Sequence, residues 1–323
     1  IGISKYNLEF FRKEIYEVPM KNFWEIKKIE IYSEKLKKEN LLRFEKNNSN
    51  LFYLIKNKDL YESLIKKISK NKFFEKRIIK DNSFYKSLLK QNKYDLIINC
   101  DSNNFITKKF FTKKIDKDYY NLAFTTILKH KKIKNNIATQ IFTKNGPIAF
   151  LPISDSETSV VSSLDIKKRR YSDSEVLDLI IQNNPKYQIQ KIKKLDNFKL
   201  SSSSLRNYRH KNILAFGDLL HRVHPLAGQG FNMTIRDIKI LSQIIQRKVN
   251  LGLQLDSSIL FDFEEETKSK NFIFSNSIDF IYELFNFDKK IKSKGFSNIL
   301  KFFGKKPKLT SYFIKVADKG LNL

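Results

Sequence analysis

The chain has 323 residues, 41% of them hydrophobic and 13% aromatic, with 62 Lys and Arg against 34 Asp and Glu and a formal net charge of +28. That length suffices for two modest domains, and the aromatic and apolar content excludes a disordered chain. No uncharged apolar run of roughly 18 residues occurs, which excludes a membrane-spanning helix, and a single cysteine, Cys100, excludes internal disulfides, multi-cysteine zinc sites and redox pairs, as suits a reducing cytoplasm.

The sequence opens on Ile1 rather than Met, carries no secretory signal, and reads as something already under way. Ile3, Tyr6, Leu8, Phe10, Phe11 and Ile15 fall mostly at helical spacings and predict a helix, followed by Trp24 and an alternating strand around Ile29 and Ile31. Alternation at Leu41 to Phe44 and at Leu51 to Ile55 predicts two short strands. Leu60, Leu64, Ile65 and Ile68, spaced three and four apart, predict a helix ending near Lys70.

Tyr94 to Asp101 is a compact apolar run closed by an acid. It reads as a buried strand delivering Asp101 to its carboxyl end, where open α/β sheets bind ligands, with Cys100 a core thiol. From Tyr119 to Leu164 the pattern changes to longer strands: Leu122 to Leu128, Ile137 to Phe142, Ile148 to Ile153 and Thr158 to Leu164, with a turn at Asn145-Gly146-Pro147. This block predicts a mostly antiparallel sheet forming its own layer. Ser172 heads a Ser-Asp-Ser cluster suited to a helix N-cap, and a helix follows to Ile181. Tyr187 to Leu200 returns to strand-like alternation, and Ser201 to Ser204 reads as a loop between domains. No internal repeat is visible.

Asn212 to Met233 differs from everything around it, and three of the nine glycines fall between residues 217 and 230. An apolar strand ends in Gly217-Asp218, placing a carboxylate at a sheet edge, and a loop rich in Gly and Pro then enters a helix from about Gly230. Glycine lets backbone approach a ligand closely, and the helix start offers N–H groups and a positive dipole end to negative charge. His221 and His224 stand at a His-x-x-His spacing, but no third acid or cysteine accompanies them at ligand spacing, so no metal is expected.

Gly217 through Asn232 resembles the second FAD motif of the class A flavoprotein monooxygenases, and within them of the ubiquinone-biosynthesis aromatic-ring hydroxylases. That motif reads Gly-Asp-x-x-His-x-x-His-Pro-x-x-Gly-Gln-Gly-x-Asn, and it is matched throughout. The resemblance implies that Asp218 bonds the ribityl chain of FAD and that Pro225 lies beside the isoalloxazine ring. Gly217 is the motif's first position, and Gly228, Gln229, Gly230, Phe231 and Asn232 would line the ring's pyrimidine side, mainly through backbone. His130, Ala138 to Thr143 and Gly146 to Ile153 resemble the strand pair that walls off the substrate in these hydroxylases, which implicates Gln140, Phe142, Pro147 and Pro152.

Asp101-Ser102 stands where the family has Asp-Gly-x-x-Ser-x-x-Arg, with Ser102, Phe105 and Lys108 replacing Gly, Ser and Arg. Asp101 is therefore either a cofactor contact or a plain strand-end acid. The family's opening βαβ unit, with Gly-x-Gly-x-x-Gly and an acid some twenty residues later, has no counterpart here, and the Ile1 start leads us to expect a chain that has lost its first strands rather than a degenerate gene.

The resemblance implies a mixed α/β fold: a Rossmann-like FAD-binding domain from 1–118 and 201–323, with C-terminal helices, interleaved with a mostly antiparallel substrate sheet over 119–200 to which 25–56 contribute strands. It implies hydroxylation of the aromatic ring of a polyprenylated ubiquinone precursor, using FAD, NADH or NADPH and O2 through a flavin C4a-hydroperoxide. A flavin-dependent isoprenoid reductase and a non-catalytic scaffold of a lipid-biosynthesis complex are the alternatives. The positive charge has three readings: compositional bias in a chain rich in Lys, Asn, Ile and Phe, an anionic lipid surface, and nucleic acid. The positives are spread along the whole chain and no nucleic-acid signature accompanies them, so no nucleic-acid partner is expected. Between Asp288 and Lys319, ten Lys stand against two Asp, interleaved with Phe296, Phe302, Phe303, Tyr312 and Phe313. Such a stretch suits peripheral contact with the inner membrane by a cytoplasmic protein.

Overall fold

A computed structural model describes residues 1–34, 40–46, 49–79, 81–91, 93–167, 169–225, 228–290 and 306–321. The chain divides into two units: the first comprises 1–60, 118–200 and 280–323, the second 61–117 and 201–279.

The first unit is built on the block whose alternation is strongest. Strands β3 (Lys28–Ser33), β4 (Asn40–Glu45), β7 (Lys114–His130), β8 (Ile137–Phe142), β9 (Pro147–Pro152) and β10 (Glu157–Asp165) lie in the order β4-β3-β8-β9-β10-β7. Every neighbouring pair along this path is antiparallel except β3 with β8. Strand β11 (Ile189–Ile192) adds to β7.

One face of this sheet carries Phe124, Leu128, Ile148, Phe150, Val160 and Leu164 against Val176 and Ile180 of helix α5 (Asp173–Gln182). Each such side chain contributes about 1.5–3 kcal/mol when buried. Helix α5 starts where the sequence says it should. Ser172 Oγ accepts from Glu175 N at 3.3 Å and Glu175 Oε2 accepts from Ser172 N at 2.8 Å, a reciprocal cap. Gly146 turns the chain between β8 and β9 at φ +146°, where a Cβ would stand 1.7 Å from the Ser163 carbonyl oxygen.

The first residues depart from the predicted helix. Gly2–Ser4 form strand β1, which joins β5 (Phe52–Leu54) and β2 (Trp24–Ile26) in a small sheet. Only after Ser4 caps it does helix α1 (Lys5–Phe10) begin, running on into a π-helical turn at Phe11–Ile15. Ile3 thus alternates in a strand rather than opening a helix. Helix α8 (Pro307–Lys319) ties back to this segment, since Asp318 accepts from Ser4 Oγ and from Tyr6 N, both at 2.9 Å.

The second unit holds helices α2 (Asn57–Ile68), α3 (Asn82–Gln91), α4 (Phe105–Phe110) and α6 (Gly230–Asn250), with much of α7 (Ser258–Lys290). Its sheet has the order β13 (Arg209–His210), β14 (Ile213–Ala215) and β6 (Ile97–Asn99), with β14 and β6 parallel. Leu214, Ala215 and Phe216 meet Leu241 and Ile244 of α6 and Ile259, Leu260 and Phe263 of α7 to form the core.

Three expectations change here. Strand β6 is shorter than the apolar run from Tyr94, and Ile98 in its middle is 50% exposed, so the strand is not buried on both faces. Cys100 is exposed rather than in the core. Ser201 to Ser204 belong to strand β12 (Asp196–Leu205), where Ser203 and Ser204 pair with Arg222 and His221 of strand β15 (His221–Arg222). Four serines carry no hydrophobic alternation, so their backbone pairing was invisible to a pattern read from side chains.

No helix among the described residues is long and apolar enough to cross a membrane. Of the basic, aromatic C-terminal stretch, Phe296, Phe302 and Phe303 lie outside the described residues, while Tyr312 and Phe313 are half exposed on α8.

Candidate functional site

The parallel pairing of β14 with β6 joins two segments more than a hundred residues apart in sequence. Ala215 stands beside Asn99, and Phe216 N donates to Asn99 O at 2.9 Å. Both strands therefore end at the same edge, and each is followed within three residues by an acid, Asp101 after β6 and Asp218 after β14. Both acids are exposed. This is the carboxyl edge at which open parallel sheets take ligands.

Local chemistry holds each turn. At Gly217 the chain takes φ +63°, a left-handed conformation, and Gly217–Leu219 form one turn of 3-10 helix closed by Leu220 N to Gly217 O at 2.9 Å. Nothing lies within 4 Å of a Cβ built on Gly217, so the backbone angle and not crowding calls for glycine. On the other strand, Asp101 Oδ1 accepts from Asn103 N at 2.7 Å, and Asn104 caps α4 by accepting from Thr107 N at 2.9 Å. Buried Asn99 donates to Thr107 Oγ1 at 2.7 Å and accepts from Asn104 Nδ2 at 2.6 Å, which braces that turn from inside the sheet.

Beyond β15 the loop passes Pro225, which is exposed, and turns at Gly228, whose N donates to Pro225 O at 3.0 Å at φ +60°. Leu226 and Ala227 lie outside the described residues. Helix α6 then starts at Gly230 with no side-chain cap at Gln229 and no acid in its first turn. The start of this 21-residue helix thus keeps its positive end for an anionic or electron-rich group. Gln229 and Asn232 are buried, the latter donating to Gly228 O at 3.1 Å, whereas Gly230 and Phe231 are half-buried. An exposed carboxylate that accepts hydroxyl donors, a left-handed glycine turn and an uncapped helix start on one loop fit a flavin's ribityl chain and pyrimidine edge.

Beneath this loop lies a polar cluster that the sequence did not announce. His221 Nε2 bonds Asp237 Oδ2 at 2.5 Å, and both side chains are 1% exposed. Asn271 Nδ2 donates to the other carboxylate oxygen at 3.0 Å. Burial and the Asp237 charge push the nearby Tyr208 hydroxyl well above its ordinary range. The cluster ties β15, which follows the Gly217-Asp218 turn, to the second turn of α6 and to α7. His224 is also buried, and burial together with the Lys117 charge pushes it down to about 3, so its ring is neutral in water near neutral pH. The sequence offered His221 as a position of the flavin motif and of a His-x-x-His pair, and gave no sign of its partner Asp237, which sits sixteen residues away with no spacing signature.

In the first unit, Gln140, Phe142 and Pro147 share one face of the sheet, since Gln140 stands opposite Ala149 and Phe142 opposite Pro147. Pro152 has the parity of Ile148 and Phe150 and lies on the other face, the one packed on α5. His130 ends β7 in the interior, with Nδ1 2.9 Å from Lys131 O, Nε2 3.0 Å from Thr158 Oγ1 and its ring 4.5 Å from that of Tyr187. All these contacts are structural.

Residues 122–250 match the family described as FAD binding domain. The chain is 27% identical over 241 residues to the ubiquinone biosynthesis monooxygenase COQ6, mitochondrial, of Dictyostelium discoideum, covering 59% of this chain and 49% of that protein. It is 28% identical over 153 residues to the 3-demethoxyubiquinol 3-hydroxylase of Escherichia coli, covering 46% of this chain and 39% of that protein. The chain thus spans about half the length, or less, of these curated relatives. The crystal structure of p-nitrophenol 4-monooxygenase PnpA from Pseudomonas putida superposes with a TM-score of 0.75 at 11% identity, over 98% of this chain and 88% of that one, and so shares the fold. The resemblance carried by Gly217 to Asn232 is borne out by these similarities, and so is the mixed α/β fold.

Proposed function

We propose that this chain acts as an FAD-dependent monooxygenase that hydroxylates the aromatic ring of a polyprenylated ubiquinone precursor, with NADH or NADPH as reductant and O2 as co-substrate. The observation that carries the reading is the single loop on which the Gly217 turn, exposed Asp218 and the uncapped start of α6 follow one another at a parallel-sheet edge. When bound, FAD supplies the oxygen-activating chemistry. The protein's own work is binding and electrostatics. Asp218 accepts from ribityl hydroxyls, Pro225 packs beside the ring system, and Gly228 to Asn232 present backbone to its pyrimidine side. The dipole of α6 stabilises negative charge there. Asp101, exposed at the same edge, is the second acid available to the cofactor.

Residues 119–200 serve as the substrate-side sheet, with Gln140, Phe142 and Pro147 the side chains that contact the ring of the substrate. The name of the Escherichia coli relative, a hydroxylase acting on 3-demethoxyubiquinol, supports a quinol precursor as substrate. A polyprenyl substrate and a chain of net charge +28 support peripheral contact with an anionic membrane and a place in a ubiquinone-biosynthesis complex. Salt-sensitive co-sedimentation with anionic liposomes checks the membrane contact.

The test begins with binding. Titrating the chain with FAD should quench flavin fluorescence, and Asp218→Ala should weaken binding about tenfold, the loss of one charge-assisted hydrogen bond. Under labelled O2, the loaded protein given NADPH or NADH and a polyprenyl phenol should yield product carrying one labelled oxygen. Absence of flavin binding, or product reduced rather than hydroxylated, would overturn the reading.

A further inference from the structure

At the end of the small sheet opposite Asp101 and Asp218, the second unit contains a cavity of about 880 Å3. Ile97 and Ile213, the first residues of β6 and β14, form part of its wall, so it lies at the strands' amino ends, away from the flavin-motif edge. Helix α3, the last turn of α4 and the β13–β14 hairpin enclose it. Its volume is in the range that holds a small molecule.

Five lysines line it. Lys86 and Lys90 lie one turn apart on α3, Lys93 follows that helix, Lys109 ends α4 and Lys211 tips the hairpin. No aspartate or glutamate is among the lining residues; Glu75, whose carboxyl feels the charge of Lys93, stands outside the lining. Like charges gathered around a concavity in excess over counter-charge raise the local concentration of anions.

The backbone adds a second observation. Lys211 and Asn212 form a two-residue loop between the paired His210 and Ile213, and Lys211 sits at φ +52°. Hairpins ordinarily place Gly or Asn at such a position. A lysine there carries the cost of a left-handed backbone and stands at the cavity. The wall is aromatic: His210 stacks on Phe110 at 4.0 Å with 15° between the planes, and Lys109 Nζ lies 5.2 Å from the Phe110 centroid. Tyr94 and Phe105 extend that wall. Burial and the charges of Lys211 and Lys109 hold His210 below its ordinary range, which keeps the stacked ring neutral.

We propose that this cavity is a binding site for a nucleoside phosphate, its phosphates on the lysine ring and its base against the Tyr94, Phe105 and Phe110 wall. Lysine serves phosphate as a point charge, and flat aromatic surfaces take a planar base with little entropy cost. The site is separate from the flavin loop.

Calorimetric titration of the full chain with ATP, inorganic tripolyphosphate and phosphatidylglycerol vesicles tests this. One equivalent of ATP should bind, about tenfold tighter than tripolyphosphate because of the base, and more weakly as salt rises from about 50 to 200 mM. Lys90→Gln with Lys109→Gln, both on exposed positions, should weaken ATP binding about tenfold or more. Lys66→Gln with Lys70→Gln, elsewhere on the surface, and Asp218→Ala at the flavin loop should leave it unchanged. Equal affinity for ATP and tripolyphosphate, binding to vesicles but not to ATP, or equal weakening by the Lys66 and Lys70 pair would each overturn the site. Unchanged ATP binding in Asp218→Ala, alongside loss of FAD binding, separates this inference from the flavin reading.

Discussion

Replacing Asp237 by alanine should selectively destabilise the second unit. Its carboxylate is 1% exposed, bonds His221 Nε2 at 2.5 Å and accepts from Asn271 at 3.0 Å. Deleting the carboxylate leaves His221 Nε2 and Asn271 Nδ2 buried without their partner, at about 1–3 kcal/mol each. That is a large share of the roughly 5–15 kcal/mol by which a domain is stable. Asp237→Asn keeps an oxygen for His221 but turns an amide nitrogen toward Asn271, so it should cost less, about 1–3 kcal/mol.

Two probes read the units separately. The only tryptophan, Trp24, belongs to the first unit, whereas far-ultraviolet circular dichroism also senses α6 of the second. With a urea slope of about 1–3 kcal/mol per M, the dichroism midpoint of Asp237→Ala should fall by roughly 1–3 M while Trp24 fluorescence moves little. A cycle with His221→Ala should give a coupling on the order of 1–3 kcal/mol. A midpoint shift below about 0.3 M, or additivity within about 0.5 kcal/mol, would refute the buried pair.

Three further outcomes are expected. His224 is pushed down to about 3 when folded, against an ordinary 6.5, so the unfolded chain binds more protons between those values. Its contribution is intact above pH 6.5 and is lost as pH falls, by about 2 kcal/mol at pH 5; His224→Gln should flatten that part of the pH–stability profile. Gly146→Ala should destabilise far more than Gly217→Ala in the same urea titration. The first drives a Cβ to 1.7 Å from a backbone oxygen, whereas the second meets open space and costs only the left-handed backbone, about 1–2 kcal/mol. Asn135→Ala should cost about 1–3 kcal/mol in Trp24-detected unfolding. Its side chain bonds Ser154 O at 2.8 Å, Thr158 Oγ1 at 3.0 Å and the Tyr187 hydroxyl at 3.1 Å inside the first unit.

Where alternation or helical spacing was strongest, the fold was legible. The strands between Leu122 and Leu164, the cap at Ser172 and the helix from Gly230 all lie where the pattern puts them, because burial on one face imposes that periodicity. Ser201 to Ser204 escaped because serines carry no hydrophobic alternation, and the buried leucines of their strand, Leu200 and Leu205, only flank them. Ile3 misled because a three-residue strand and a helix start differ by a single residue of register. Cys100 misled because the apolar run containing it ends in a turn at the surface rather than in the core. Helix α3 went unread although Tyr85, Leu88 and Leu89 recur at helical spacing and pack against the core, the signal that could have found it.

Residue order alone determined the chemistry of the loop proposed to hold flavin. Gly217, Asp218, Pro225 and Gly228 to Asn232 are consecutive enough that local backbone geometry, a left-handed glycine and a helix start suffices to arrange them. Tertiary structure decided everything that depends on distant segments meeting: the β6–β14 pairing that sets Asp101 at the edge of Asp218, the His221–Asp237–Asn271 cluster under the loop, and the lysine-lined cavity at the sheet's other end. Spacing along a chain encodes neighbours within a few turns, whereas contacts across a hundred residues exist only once a shared core has drawn their strands and helices together.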